Sequence, residues 1–365
     1  VTVLRGADPA TVRRAVERAD PLPGTHGFAG ALDGRLVRDV LGRQPLFGTP
    51  ENWGFSPDDA AGATPVPAGH VRERRNGETV DRRVWSLPDP AVSTDDAAAL
   101  AAVERAVRES VTAVDGAADL AVAFSGGVDS ALVAAGVPDA PCYVAGFPDA
   151  HDVAAARDAA AAMDRDLRVV ELDHDALERA VPEVVAATGR TDAMTVGIAL
   201  PLYLVAERVA ADGFDRLALG QGADELFGGY AKVVDPADDD RVDATTVRGA
   251  TREVIRSLPG QLERDTLVLR AAGVTPVTPL LSDRVVGAAL PLPGHLLATP
   301  DERKVALRRA AAGWLPEPVV GADKKAVQYG SLVSRELDRL ARQAGFKRRM
   351  DRHVDRYVES LVDGT

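Results

Sequence analysis

The 365-residue chain has a single cysteine, Cys142. One thiol excludes an intramolecular disulfide and any zinc site built on several cysteines. Cys142 lies in the apolar run Pro141-Cys142-Tyr143-Val144-Ala145, where a buried thiol acts as a small hydrophobe, so no nucleophilic role is expected of it. Lysine is almost as scarce: of 43 basic residues only five are lysines, Lys232, Lys304, Lys324, Lys325 and Lys347. With 55 acidic residues the net charge is −12, which argues against a nucleic-acid partner, because phosphate backbones need a basic patch. Abundant acid with little lysine suits a salt-rich cytosol, and a halophilic, cytoplasmic protein is the expectation, although a GC-rich genome also exchanges lysine for arginine. No uninterrupted apolar run nears the ~18 residues of a membrane span. Val1-Thr2-Val3-Leu4-Arg5 lacks the apolar core of a signal peptide, so no membrane association is expected.

Residues 1–90 are rich in Gly, Pro and Arg, with short alternating segments such as Gly34–Val40, and predict a small β-rich domain. Pro88-Asp89-Pro90 reads as a linker. From Asp95 a helix is expected, with Leu100, Val103, Val107, Val111 and Val114 on one apolar face. Strands are then expected at 120–124, 141–147, 167–172 and 215–219. Helices are expected from Ser130 and over 151–163, 174–187 and about 197–211. This alternation predicts an α/β domain over 91–365, a parallel sheet with helices on both faces, ending in a mostly helical part. The acidic stretch 235–243 reads as a solvated loop.

Two glycine-rich stretches follow expected strands. In the first, Phe124-Ser125-Gly126-Gly127-Val128-Asp129-Ser130, a strand, a glycine turn and a helix N-terminus make an anion site. Asp129 beside a phosphate is repulsive unless a cation such as Mg2+ lies between them. The spacing is not that of a Walker A loop. The second stretch is Gly220-Gln221-Gly222-Ala223-Asp224-Glu225-Leu226-Phe227-Gly228-Gly229-Tyr230. It ends a strand of the same sheet, where ligands gather, and its spacing is not that of a dinucleotide fingerprint.

The first stretch resembles the S-G-G-x-D-S pyrophosphate loop of enzymes that cut ATP between the α and β phosphates. The second resembles the S-G-E-G-S-D-E-L-F-G-G-Y segment of asparagine synthetase and its β-lactam-synthetase relatives. Arg38-Asp39-Val40-Leu41-Gly42-Arg43-Gln44-Pro45-Leu46-Phe47 is similar to the R-D-x-L-G-x-x-P-L-Y segment of class II glutamine amidotransferase domains. The resemblance to the asparagine synthetase family thus spans nearly the whole chain and implies a PP-loop α/β fold. It implies that Ser125, Gly126, Gly127, Asp129 and Ser130 hold pyrophosphate, that Asp129 and Asp224 share Mg2+, and that Phe124, Ala145, Leu219 and Gly220 line the adenosine pocket. Glu302-Arg303-Lys304-Val305-Ala306-Leu307-Arg308 matches the family's E-K-x-x-L-R segment, which makes Lys304 a second phosphate clamp. Lys324 falls on its catalytic lysine.

The implied cofactors are ATP and Mg2+. The implied reaction activates a carboxylate, aspartate by default, as an acyl-adenylate and amidates it with ammonia, free or from a separate glutaminase. A homodimer is compatible with the same resemblance. The family's glutaminase uses an N-terminal cysteine; residues 1–90 contain none, so an inactive, shortened remnant is expected there. Three departures fall on the acceptor side. Gly197 replaces an aspartate-anchoring Arg, Thr275 and Val277 replace a Glu and an Arg, and Gln221 replaces a Glu. The alternatives are AMP transfer to a nucleobase or tRNA, and an ATP-binding sensor or scaffold without catalysis.

Overall fold

Strands of three or four residues are too short to build a core alone, and those near the start of the chain are covered by a helix that alternation does not reveal. The computed structural model describes residues 2–60, 62–116, 118–148, 150–322 and 329–363. It begins with β1 (Val3–Arg5) and α1 (Pro9–Arg18), the latter capped by Asp8, whose carboxylate accepts from the Thr11 N–H at 2.9 Å. After β2 (Ala29–Leu32) and β3 (Arg35–Arg38) come the small hairpin β4 (Phe47–Thr49) and β5 (Asn52–Gly54), then β6 (His70–Arg75) and β7 (Glu78–Arg83). The resulting antiparallel sheet has the order β1-β2-β3-β6-β7. Val12 and Ala15 of α1 pack on Phe28, Val37, Val71 and Trp85.

The second sheet follows α2 (Asp96–Thr112), which starts where a helix is expected, with Asp95 as its cap, and buries Val103, Val107 and Val111. The chain continues through β8 (Leu120–Ala123), α3 (Val128–Gly136), β9 (Cys142–Gly146), α4 (His151–Ala162), β10 (Leu167–Glu171), α5 (His174–Thr188), α6 (Ala193–Ala211) and β11 (Arg216–Ala218). Next come α7 (Ala223–Leu226), α8 (Val247–Ala271), β12 (Thr275–Val277), α9 (Asp283–Ala289) and α10 (Gly294–Leu297). The last elements are α11 (Val305–Ala311), α12 (Glu317–Val320), α13 (Tyr329–Gln343) and α14 (His353–Asp363). The five strands pair in parallel in the order β10-β9-β8-β11-β12, with Ala218 opposite Val122 and Ala123 opposite Tyr143.

Sequence order reverses between β8 and β11, so the connections leave the sheet on opposite sides there and open a crevice at the strand ends. Alternate strand residues serve two cores. Val122, Phe124 and Val144 face one, and Ala121, Tyr143, Ala145 and Leu219 face the other. The expected helix from Ser130 begins two residues earlier, at Val128. β12 lies in the stretch expected to be mostly helical. It is three residues long and holds Pro276, which a ladder accepts at the sheet edge that β12 occupies. α6 is long and apolar enough to cross a membrane, yet it packs among α5, α8 and α13 with most of its surface buried. Cys142 is buried, and burial raises its thiol pKa.

α3 touches α2 backbone to side: a Cβ added at Gly136 would lie 2.7 Å from the Val111 carbonyl oxygen. Gly136→Ala should therefore destabilise the chain by about 1–3 kcal/mol through overpacking. A lower urea midpoint at unchanged m value is the expected result.

Candidate active site

The first loop turns from β8 into α3 through Gly126, whose φ of +77° is open to glycine and strained for other residues. An added Cβ there would sit 2.9 Å from the Ala155 carbonyl oxygen, so the loop lies directly on α4. The loop is tied internally: Ser130 Oγ accepts from the Ser125 N–H at 3.2 Å and donates to the Gly127 carbonyl at 3.1 Å. Gly127 is the N-cap of α3 and provides no side-chain acceptor for the helix's first N–H groups. Uncapped donors and the positive end of a helix dipole at the end of a parallel strand are an arrangement that favours an anion.

The second loop leaves β11 at Leu219 and touches the first. A Cβ on Gly220 would lie 2.9 Å from the Asp129 backbone carbonyl carbon and 3.0 Å from Ser130 N. Gly222, at φ +96°, caps α7 and gives its N–H to Glu225 at 3.2 Å. Burial raises the Glu225 carboxyl pKa, and the Tyr230 hydroxyl donates to it at 2.6 Å. Gln221 donates its side-chain amide to Asp265 of α8, whose carboxyl is also raised by burial.

Lys304 joins the loops. Its ammonium lies 2.5 Å from Asp129 Oδ2 and 2.6 Å from Asp224 Oδ1, and its side chain is 5% exposed. Burial alone would lower its pKa, but the two carboxylates outweigh burial and hold it above the usual lysine value. Lys304 adopts φ +59° just before α11, an uncommon conformation for a side chain of this size. Gly229 leaves the space: a Cβ there would come 2.0 Å from Asp224 Oδ1 and 2.4 Å from the Lys304 side chain. Arg303 donates to the Gly229 carbonyl at 2.9 Å, tying the loop to the residue before Lys304.

The residues expected at the site are thus partly united. Ser125, Gly127, Asp129, Asp224, Gly220 and Lys304 share the crevice. Ala145 and Leu219 belong to one core face, while the Phe124 side chain is packed in the other, leaving only its backbone toward the loops. Lys324 lies outside the described residues. On the acceptor side, Gly197 is buried against α13, where an added Cβ would meet Ser334 Oγ at 2.9 Å. Asp265, Tyr230 and Arg303 are contributors that motif reading missed. Tyr230 and Arg303 lie inside the quoted motif segments without a role assigned to them, whereas Asp265 lies outside every motif; the partners of all three are set by packing.

The donor set suits a cation. Two carboxylates converge on one ammonium, so the pocket already places positive charge between them. Among the described residues no group of three His, Cys, Asp or Glu side chains is arranged for a metal. A divalent ion here would draw its remaining oxygen ligands from phosphate or water.

A family model described as asparagine synthase matches residues 102–254 and 240–362. The chain is also 28% identical over 246 residues to a Methanocaldococcus jannaschii protein named "Putative asparagine synthetase (glutamine-hydrolyzing) 1". That match covers 58% of this chain and 45% of the relative, so the chain spans under half of the relative's length.

Gly220→Ala should force the two loops apart, because the added methyl meets backbone that cannot rotate away. The expected outcome is a loss of about 1–3 kcal/mol in stability, read as a lower urea midpoint.

Proposed function

The chain belongs to the asparagine synthase family, and we propose that it is an ATP-dependent carbon–nitrogen ligase that forms an amide from a carboxylate and ammonia. One observation carries this reading: Asp129 and Asp224, from two separate loops, meet at one cation where the parallel sheet opens. In the proposed reaction a carboxylate oxygen of the acceptor attacks the α phosphorus of ATP. The bond to the β-phosphate oxygen breaks, giving an acyl-adenylate and pyrophosphate. Ammonia then attacks the acyl carbon, AMP leaves with the bonding electrons, and the nitrogen loses a proton.

The residues divide the work by charge. The N–H groups at the start of α3, with the Ser125 hydroxyl, would bind pyrophosphate oxygens, and the Ser130 hydroxyl would join them by turning its proton away from the Gly127 carbonyl. Asp129 and Asp224 would hold Mg2+, which supplies charge neutralisation on the phosphates. Lys304 would follow the phosphate as a clamp, and Lys324 would stabilise the charge that develops as pyrophosphate departs. Catalysis is then mainly positioning and electrostatics. Residues 1–90 are proposed as a glutaminase-like, β-rich region beside a synthetase domain over 91–365.

Aspartate is the default acceptor. The packing of Gly197 against α13 and the exposure of Met194 and Ile198 on α6 support testing apolar acids beside it. The test is pyrophosphate and AMP release from ATP and Mg2+ in high salt, with ammonia and a panel of carboxylic acids. Release that depends on one acid, stops with EDTA, and falls at least about a hundredfold in Asp224→Asn is the expected result. Release with aspartate identifies an asparagine-forming enzyme, and release with another acid keeps the mechanism and changes the substrate. ATP binding with no AMP from any acid would overturn the ligase and leave a nucleotide sensor.

A further inference from the structure

The segment that resembles a glutaminase motif, Arg38 to Phe47, is turned toward the second glycine loop. Arg43 is buried, and each edge of its guanidinium is used. Nε donates to Asp39 Oδ1 at 2.9 Å, Nη1 to the Leu281 carbonyl at 2.7 Å, and Nη2 to Asp283 Oδ1 at 2.7 Å. The other Asp283 oxygen accepts from the Thr25 N–H at 2.7 Å and its hydroxyl at 3.0 Å. Asp39 is fixed in turn by the N–H groups of Phe28, Leu41 and Arg43. Charges this deeply buried keep their geometry, since losing one partner strands the other.

Leu281, gripped through its carbonyl, lies against Gly222. A Cβ on Gly222 would be 2.6 Å from the Leu281 side chain, and Gly222 caps the short helix that carries Asp224. A second strut starts at Arg38. It donates to Glu263 of α8 at 3.2 Å and to the Val66 and Gly42 carbonyls at 2.8 and 3.1 Å. Two residues along α8, Asp265 accepts the side chain of Gln221. Adjacent residues of the loop, Gln221 and Gly222, are therefore supported by two paths that both lead back to the 38–43 turn.

We infer that Arg38 and Arg43 are positioning residues for Asp224, and that residues 1–90 act as a buttress beneath the second loop. The arrangement gives this cysteine-free region a function in the neighbouring site that needs no glutamine chemistry. The consequence for nucleotide affinity rests on the function proposed above, whereas the mechanical claim does not.

The experiment is hydrogen exchange on the full chain, without nucleotide and well below its unfolding temperature. In Arg43→Lys an ammonium replaces the fork that spans three acceptors. The amides of Leu226, Phe227 and Gly229, bonded to Gly222, Ala223 and Asp224, should exchange roughly tenfold faster while those of β8 and β9 stay protected. Glu263→Gln, which keeps the volume of α8, should do the same through the second strut and serves if Arg43→Lys does not fold. The control is Arg72→Lys, a buried arginine bonded to Asp81 and to the Gly48, Thr64 and Pro65 carbonyls, all within the first sheet's region. It should lower stability and leave loop exchange unchanged. Loop exchange equal to wild type in the folded Arg43→Lys or Glu263→Gln variant would overturn the buttress. In a second arm, Mg-ATP affinity should fall roughly tenfold in the same two variants and not in the control. A wild-type chain that binds no Mg-ATP would overturn the proposed function and leave the exchange arm to decide the buttress.

Discussion

Two carboxylates cannot be brought within reach of one another in a half-buried crevice unless a cation lies between them. Here that cation is the Lys304 ammonium, and much of the surrounding structure serves to deliver it. The chain must enter α11 through a left-handed residue, Gly229 must lack a side chain, and Arg303 must hold the Gly229 carbonyl. The parallel sheet contributes the remaining requirement. Its order reversal sets β8 and β11 side by side, so loops nearly a hundred residues apart in sequence share one opening.

What the sequence revealed followed from how local each signal is. Buried strands bounded by glycine turns, and the Asp95 cap of α2, are written in neighbouring residues, and both were legible. So was the family, because its signature loops are contiguous and lie within the segments 102–254 and 240–362 that the family model matches. β12 was not legible, since three residues around Pro276 carry no alternation and become a strand only by pairing with β11. α1 was missed for a related reason: its apolar stripe is two residues deep, and the sheet beneath it supplies the rest.

Side-chain partnerships were the least legible level. Gln221 stood out as a departure, but the reason for an amide there lies on α8. A carboxylate at that position would face buried Asp265, whereas the amide donates to it. Gly197 likewise looked like a lost anchor, and in the fold it is the contact that lets α13 lie close to α6. In both cases a substitution that reads as a loss in one dimension is a packing solution in three.

The burial of the Arg43–Asp39–Asp283 cluster bears on behaviour in concentrated electrolyte. Ions screen exposed pairs such as Arg13 with Asp33 over a few ångströms at molar ionic strength, but they do not enter a site whose side chains are at most 1% exposed. Electrostatic cohesion at the surface of this acidic chain therefore fades as electrolyte rises. The joint between its two sheets keeps its strength, while salt screens both the attraction within exposed pairs and the mutual repulsion of the excess surface carboxylates.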